Sequence, residues 1–180
     1  VFLAHAESLE YQTRGWQRMV SIDRIVPAML GKTLVALELA LIGMGVYYVA
    51  AAITGLFLGF RLTEPTGPGI LLPWGLCGAL GAWAIGTVTV MLATWFRTFA
   101  ALSAVGLGGI IFGMVLTMAA PSLASGYPFT LITFGMGARA ASQEGAFTSP
   151  ITMIGTAIVC LIWVALSVVV TISRIRRREW

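Results

Sequence analysis

Few residues of this chain could do chemistry, and their types and spacing exclude the usual sites. His5 is the only histidine, which excludes a bis-histidine haem or a multi-histidine metal site within the chain. Cys77 and Cys160 each fall inside an apolar run, where a free cysteine usually acts as a small hydrophobic residue, and they form no redox motif. We therefore expect no catalytic residue, cofactor site or metal site in this chain, and no enzyme activity from the chain by itself.

Gly31, Lys32 and Thr33, in the stretch AMLGKT, look like the end of a phosphate-binding loop. Such a loop needs a second glycine five positions before Gly31, where the sequence has Val26, and a strand before it. The match is accidental. If this protein uses nucleotide energy, we expect another chain to bind the ATP and its Mg²⁺.

Glu38 lies just inside an apolar run, where an acidic residue raises the question of a functional role. It follows Lys32 by six residues, roughly 9 Å along a helix, and could therefore lie near the lipid headgroups. A proton-coupling role would need an ionisable partner within the membrane, and the other apolar runs contain none. We favour the structural interpretation for Glu38.

The elements that must hold these residues are membrane helices. The chain is 58% hydrophobic and 10% charged, with a mean hydropathy of +0.93, far from the roughly 25% charged content of a soluble domain. A helix needs about 20 apolar residues to cross the hydrocarbon layer, and alternating barrel strands are absent. Charge-free runs of sufficient length occupy residues 39–60, 71–96, 98–120 and 151–173. The predicted fold class is all-α, a polytopic transmembrane helical bundle with four spans.

The remaining sequence divides around these spans. Residues 1–32 would form a cytoplasmic interfacial helix and lead into the first span, and residues 33–173 the transmembrane domain. Its spans are predicted at about 33–60, 71–96, 98–120 and 151–173. Residues 121–150, between the last two spans, would form an external segment. Residues 174–180 form a basic tail. The chain starts with Val1 inside what looks like a cut apolar segment, so we expect that N-terminal sequence is missing.

Glycine pairs are the main packing signal in the spans. Gly55 with Gly59, and Gly109 with Gly113, have the spacing that lets helices approach closely. A further group crowds the second span: Gly75, Gly78 and Gly81. We expect these residues to pack within the chain or against a second copy.

The basic residues predict the orientation, because cytoplasmic loops are enriched in Lys and Arg. With the N-terminal segment and the C-terminus in the cytoplasm, only Arg61 and Arg139 lie outside. The tail RIRRREW is then a stop-transfer anchor that contacts lipid headgroups, an interpretation we favour over nucleic-acid binding. Nine basic residues lie inside: Arg14, Arg18, Arg24, Lys32, Arg97, Arg174, Arg176, Arg177 and Arg178.

The N-terminal segment has the pattern of an amphipathic helix at the membrane surface. Helical spacing places Arg14 and Arg18 on one face, beside an apolar strip of Trp16 and Val20. A passive interfacial anchor explains this pattern, and so does a docking element for a cytoplasmic partner. The pattern alone leaves both open.

EYQTRGWQRMVSIDRIVPAMLGKTLVA, from Glu10, resembles the segment after the second membrane helix of ABC-2 type permeases, the membrane subunits of ABC transporters. It departs from the family at SIDR, where Ser21 and Ile22 replace the usual turn containing proline. The positions that match are Glu10, Gly15, Trp16, Met19, Val20, Arg24, Gly31 and Lys32.

The resemblance implies six spans, of which the four here would be the third to the sixth, with the first two absent. Arg97 matches a tight cytoplasmic turn, and GYPFTLITFGMGARAASQEGAF matches an external segment of short re-entrant helices before the last span. Tyr127, Phe129 and Phe134 in that segment would form an external gate; packing over the dimer is the simpler alternative.

The resemblance also implies partners. The surface helix would be a coupling helix that docks into a cytoplasmic ATP-binding subunit, with ATP and Mg bound there. Trp16 and Met19 would be packing anchors. The remaining coupling residues would be Glu10, Arg14, Arg18 and Arg24. A second permease copy or a related permease would complete the transporter, in contact with membrane lipid and not with nucleic acid.

The function implied is export of an amphiphile, such as a drug, an antimicrobial peptide or a lipid-linked molecule, across a bacterial cell membrane. A scaffold subunit of a larger membrane complex would have the same hydropathy and basic tail, and stays the alternative. Secondary transport is disfavoured because buried charges and an internal repeat are not evident. The sequence does not identify the cargo.

Overall fold

The chain folds into long helices joined by short ones. A computed structural model describes residues 25–59, 68–96, 98–136 and 150–177, and none of these residues is in a β-strand. The elements in these ranges are α1 (Ile25–Phe57), α2 (Pro68–Ala93), α3 (Phe99–Ala119), α4 (Pro121–Ala124), a 3₁₀ helix (Pro128–Thr130), α5 (Leu131–Gly135) and α6 (Pro150–Arg177). The all-α class predicted from the sequence is confirmed.

Four of these helices are long and apolar enough to cross a membrane: α1, α2, α3 and α6. They correspond in order to the four charge-free runs, so the protein is a multi-pass helical bundle. The first span differs most from the expected one. It begins at Ile25, eight residues before position 33, and its 33 residues extend about 50 Å, more than the hydrocarbon layer of about 30 Å.

Local sequence explains where the later helices begin and end. The side chain of Thr98 accepts a hydrogen bond from the backbone of Ala101 and caps the start of α3. Pro121 and Pro128 stand at the first positions of α4 and the 3₁₀ helix, where a missing N–H removes no helical hydrogen bond. The residues after α3 therefore form short helices that cannot cross a membrane.

Helices α1, α2 and α6 form the centre of the bundle. Trp83 of α2 donates from its indole Nε1 to the backbone carbonyl oxygen of Thr33 on α1, at 2.7 Å. Thr87 of α2 and Thr171 of α6 are fully buried, and each hydroxyl bonds a carbonyl of its own helix. Small side chains with satisfied hydroxyls let helices pack closely without leaving a polar group unpaired in lipid.

Three helix ends meet at one end of this bundle. Ile25 and Met29 at the start of α1 share a buried cluster with Val90 near the end of α2 and Ile175 near the end of α6. The beginning of α1, the end of α2 and the basic last turn of α6 therefore lie together. The sequence-based topology requires this arrangement, because it assigns these three segments to the same side of the membrane.

The outer faces of α1 and α3 are apolar and exposed. On α1 they include Leu34, Leu41 and Ile42, and on α3 Ile111 and Met114, each at least 46% exposed. Apolar surface of this extent is typical of a membrane helix that faces lipid or a neighbouring membrane protein.

Candidate functional site

Residues 121–136, called here the inserted segment, run from the end of α3 back into the middle of the bundle. Phe129 lies against Gly109 of α3, ten residues and roughly 15 Å from the end of that helix at Ala119. Leu131 and Ile132 lie against Gly81, the fourteenth of the 26 residues of α2. The segment therefore reaches about halfway along two spans before α5 turns back.

Glycines on α2 bring the inserted segment into contact with the helix backbone. A Cβ on Gly81 would lie 2.7 Å from the backbone of Leu131 and Ile132. A Cβ on Gly135 of α5 would lie 2.5 Å from the carbonyl oxygen of Cys77. Only residues without a side chain fit at these positions. Gly81 of the second span thus makes room for the inserted segment, whereas Gly75 faces Tyr48 of α1 and Gly78 faces both Met44 of α1 and Met136. The sequence did not reveal this division.

Aromatic rings join the inserted segment to α3. The ring of Tyr127 lies 5.6 Å from Phe112 of α3 in an edge-on arrangement, and 5.7 Å from Phe129. Gly113 of α3 leaves room for the Tyr127 ring, which a Cβ there would meet at 3.3 Å. Partial burial raises the pKa of the Tyr127 phenol. The rings fill the space between the segment and α3 with a continuous apolar contact.

Phe134, the third expected gate residue, does not belong to this group. It lies on α5, which packs on α2, and the ring pairs among the described residues do not include it. Two of the three proposed gate residues are thus brought together, with Phe112 as a partner that the sequence analysis did not name.

Hydrogen bonds fix the bend of the inserted segment. The hydroxyl of Thr130, which is buried, reaches the carbonyl oxygens of Ala124 and, at 2.7 Å, of Tyr127. Trp163 of α6 donates from Nε1 to the carbonyl oxygen of Gly126 at 2.9 Å. These bonds satisfy carbonyls of a non-helical turn, which would be costly to leave unpaired at membrane depth.

Leu131 anchors the segment to both α2 and α6. Its side chain is fully buried in a cluster with Ala84 of α2 and with Cys160 and Val164 of α6. Leu131 was not among the predicted site residues. An apolar residue directly after a proline-containing turn is the only sequence signal that could have pointed to it.

The expected coupling residues, Glu10, Arg14, Trp16, Arg18, Met19 and Arg24, lie outside the described residues, as does Arg97 at the expected turn. Their roles stay predictions. In the described part of the chain, no three His, Cys, Asp or Glu residues come close enough to hold a metal ion. Cys77 and Cys160 are both free.

Glu38 lies near the middle of α1 rather than near an end of the bundle. Thr33 contacts Trp83 and Met44 contacts Gly78, so Glu38 lies between these levels, close to the midpoint of α2. Its side chain is exposed on the outer surface. This depth argues against the headgroup position favoured from its distance to Lys32.

No family model, curated protein or solved structure matches this chain. The features that bear on function are therefore the sequence patterns and the geometry of the inserted segment.

Proposed function

We propose that this chain is the membrane-spanning permease subunit of an ATP-driven exporter of the ABC-2 type. The inserted segment supports this proposal best: a short element lies in the middle of an apolar bundle, and its aromatic rings meet α3 through apolar contacts. A transporter needs a removable closure at this depth, and a static scaffold does not. The proposed family rests on the stretch from Glu10 to Ala36, which resembles ABC-2 type permeases.

In this proposal the rings of Tyr127 and Phe129 close the pathway from outside. Among the described residues, these rings contact the Phe112 ring and the backbone at Gly109 and Gly113 of α3, and they form no ion pair. An amphiphile could replace such contacts with its own apolar surface at little cost. The cargo that the family resemblance implies, a drug, an antimicrobial peptide or a lipid-linked molecule, has such an apolar surface.

The energy would enter from the other end of the bundle. The start of α1 and the ends of α2 and α6 lie together. The distribution of Lys and Arg predicts that this end faces the cytoplasm, and the resemblance implies a bacterial cell. An ATP-binding subunit that carries ATP and Mg would dock on the preceding segment. Its closure would move these helix ends together and shift the bundle between two states, provided that the contacts differ between the states.

A second permease, either a copy of this chain or a related one, would cover the outer face of α1. Glu38 is exposed there, and Gly31 and Gly45 stand seven residues to either side of it with open space around them. A carboxyl group costs less against a protein that offers hydrogen bonds than against lipid, and the glycines permit close approach. These features support a protein neighbour on this face.

The proposal is tested by purifying the tagged full-length protein in mild detergent, identifying its partners by mass spectrometry and assaying ATPase activity. We expect a stoichiometric ATP-binding subunit. Recovery of other membrane subunits without any ATPase would refute the permease assignment and favour the scaffold.

Trp16 provides the test of coupling. In the reconstituted complex, Trp16→Ala should remove the main packing anchor, so that ATP hydrolysis continues while cargo transport falls at least about tenfold, as for loss of an interface hot spot. Gln17→Ala, at the neighbouring position, is the matched control and should leave transport unchanged. Normal coupling in Trp16→Ala would rule out this residue as the anchor.

A further inference from the structure

A second site lies where α2 and α6 end together. Among the described residues, Trp95, Val170, Ser173, Arg174 and Arg177 line an open cavity of about 430 Å³. Trp95 follows the end of α2, and the other four residues occupy the last two turns of α6. The cavity therefore lies at one end of the bundle, between the ends of two spans.

Arg174 is held in place inside this cavity. Its guanidinium carbon lies 4.3 Å from the centre of the Trp95 ring, a cation–π contact that fixes the side chain. Its Nε atom is buried and has no hydrogen-bond partner among the described residues. A guanidinium held in this position at a cavity is suited to an anion, because Arg is always charged and its planar group matches the geometry of phosphate.

Arg177 adds a second positive charge one helical turn beyond Arg174 on the same side of α6. Neither charge is balanced by a carboxylate in the cavity lining, since Glu38 is the only acidic residue that the structure describes and it lies on α1. Ser173 donates its hydroxyl to the carbonyl oxygen of Val170 at 2.9 Å, so anion recognition falls to the two arginines.

We propose that this cavity binds the phosphodiester headgroup of an anionic phospholipid. Arg174 and Arg177 would bind the phosphate oxygens, and Val170, about 6 Å deeper on α6, would contact the glycerol and the first acyl carbons. Trp95, half exposed beside them, has the amphipathic ring typical of the headgroup level. A basic cavity between two spans at this level matches the chemistry of such lipids. This inference does not depend on the proposed transport function.

Native mass spectrometry of the full-length protein, titrated with phosphatidylglycerol or with phosphatidylcholine, tests the site. We expect one phosphatidylglycerol molecule to bind more tightly than further molecules of the same lipid. We expect no such tightly bound molecule with phosphatidylcholine. Arg177→Gln should weaken this step about tenfold, the effect of losing one charge-assisted contact. Arg176→Gln is the matched control: it removes the same charge from the same turn, at an exposed residue that does not line the cavity.

An equal loss of phosphatidylglycerol affinity in Arg176→Gln and Arg177→Gln would overturn the proposal, because it would show that the basic helix end attracts anionic lipid in general. Tight binding of phosphatidylcholine would also overturn it. Displacement of phosphatidylglycerol by millimolar inorganic phosphate would assign the cavity to free phosphate rather than to lipid. Arg177→Lys keeps the charge and should restore part of the affinity, which separates lost binding from misfolding in Arg177→Gln.

Discussion

The substitution Gly81→Ala tests whether the inserted segment depends on backbone contact with α2. A Cβ at this position would lie 2.7 Å from two backbone atoms of the segment and 2.8 Å from the Leu131 carbonyl oxygen. The segment would have to retreat by about 0.7 Å to reach ordinary van der Waals contact. Backbone atoms cannot turn aside as a side chain can. Overpacking of this kind typically costs about 1–3 kcal/mol, and the higher helix propensity of Ala returns up to about 1 kcal/mol.

We expect Gly81→Ala to lower the free energy of unfolding by about 1–2 kcal/mol, which corresponds to a melting temperature about 2–8 °C lower for a chain of this size. The assay is thermal unfolding followed by circular dichroism in one detergent. Gly108→Ala, on the exposed side of α3, is the control, because a Cβ there would meet nothing within 4 Å, and its melting temperature should be unchanged or slightly higher. The same melting temperature for both variants would refute the assigned position of the segment.

Two further predictions concern the inserted segment. Trp163→Phe removes the hydrogen bond to Gly126 and should cost about 1 kcal/mol in the same assay, whereas Trp74→Phe, whose indole bonds no described residue, should have little effect. The pKa of the Tyr127 phenol is raised in the folded state, which therefore favours the neutral phenol more than the unfolded state does. The resulting contribution to the free energy of unfolding is complete below pH 10.0 and is lost as the pH rises through the folded pKa. Wild-type protein should therefore lose more stability than Tyr127→Phe between pH 9 and pH 11; parallel losses would contradict the burial of the phenol.

The spans could be predicted from the sequence because lipid imposes one simple requirement, an uninterrupted apolar length. The start of α1 could not be predicted in this way. Lys32 and Glu38 interrupt the apolar run, yet the helix continues through both and its first turn is buried by residues from α2 and α6. That burial is a tertiary contact, and hydropathy along the chain does not contain it.

The inserted segment was recognisable in part. Tyr127 and Phe129 among prolines and glycines indicated residues too apolar for a free loop and too interrupted for a span, and short helices are found there. The positions against which the segment packs could not be recognised, because Gly81 and Gly109 belong to other helices. The spacing paired Gly59 with Gly55 as a helix-packing motif. Gly59 instead follows the end of α1 with φ 77° and open space around it, so a glycine is needed there for the turn.

The position of the inserted segment has a mechanical consequence for α3. Among the described residues, Leu102 of α3 packs on Ala93 of α2, and further along α3 Phe112 and Gly109 contact the rings of the inserted segment. The first half of α3 is therefore attached to α2 directly, and its second half through the rings of Phe112, Tyr127 and Phe129. Loss of these ring contacts would leave α3 attached to α2 at Leu102, so α3 would separate from the bundle most at its opposite end, near Ala119.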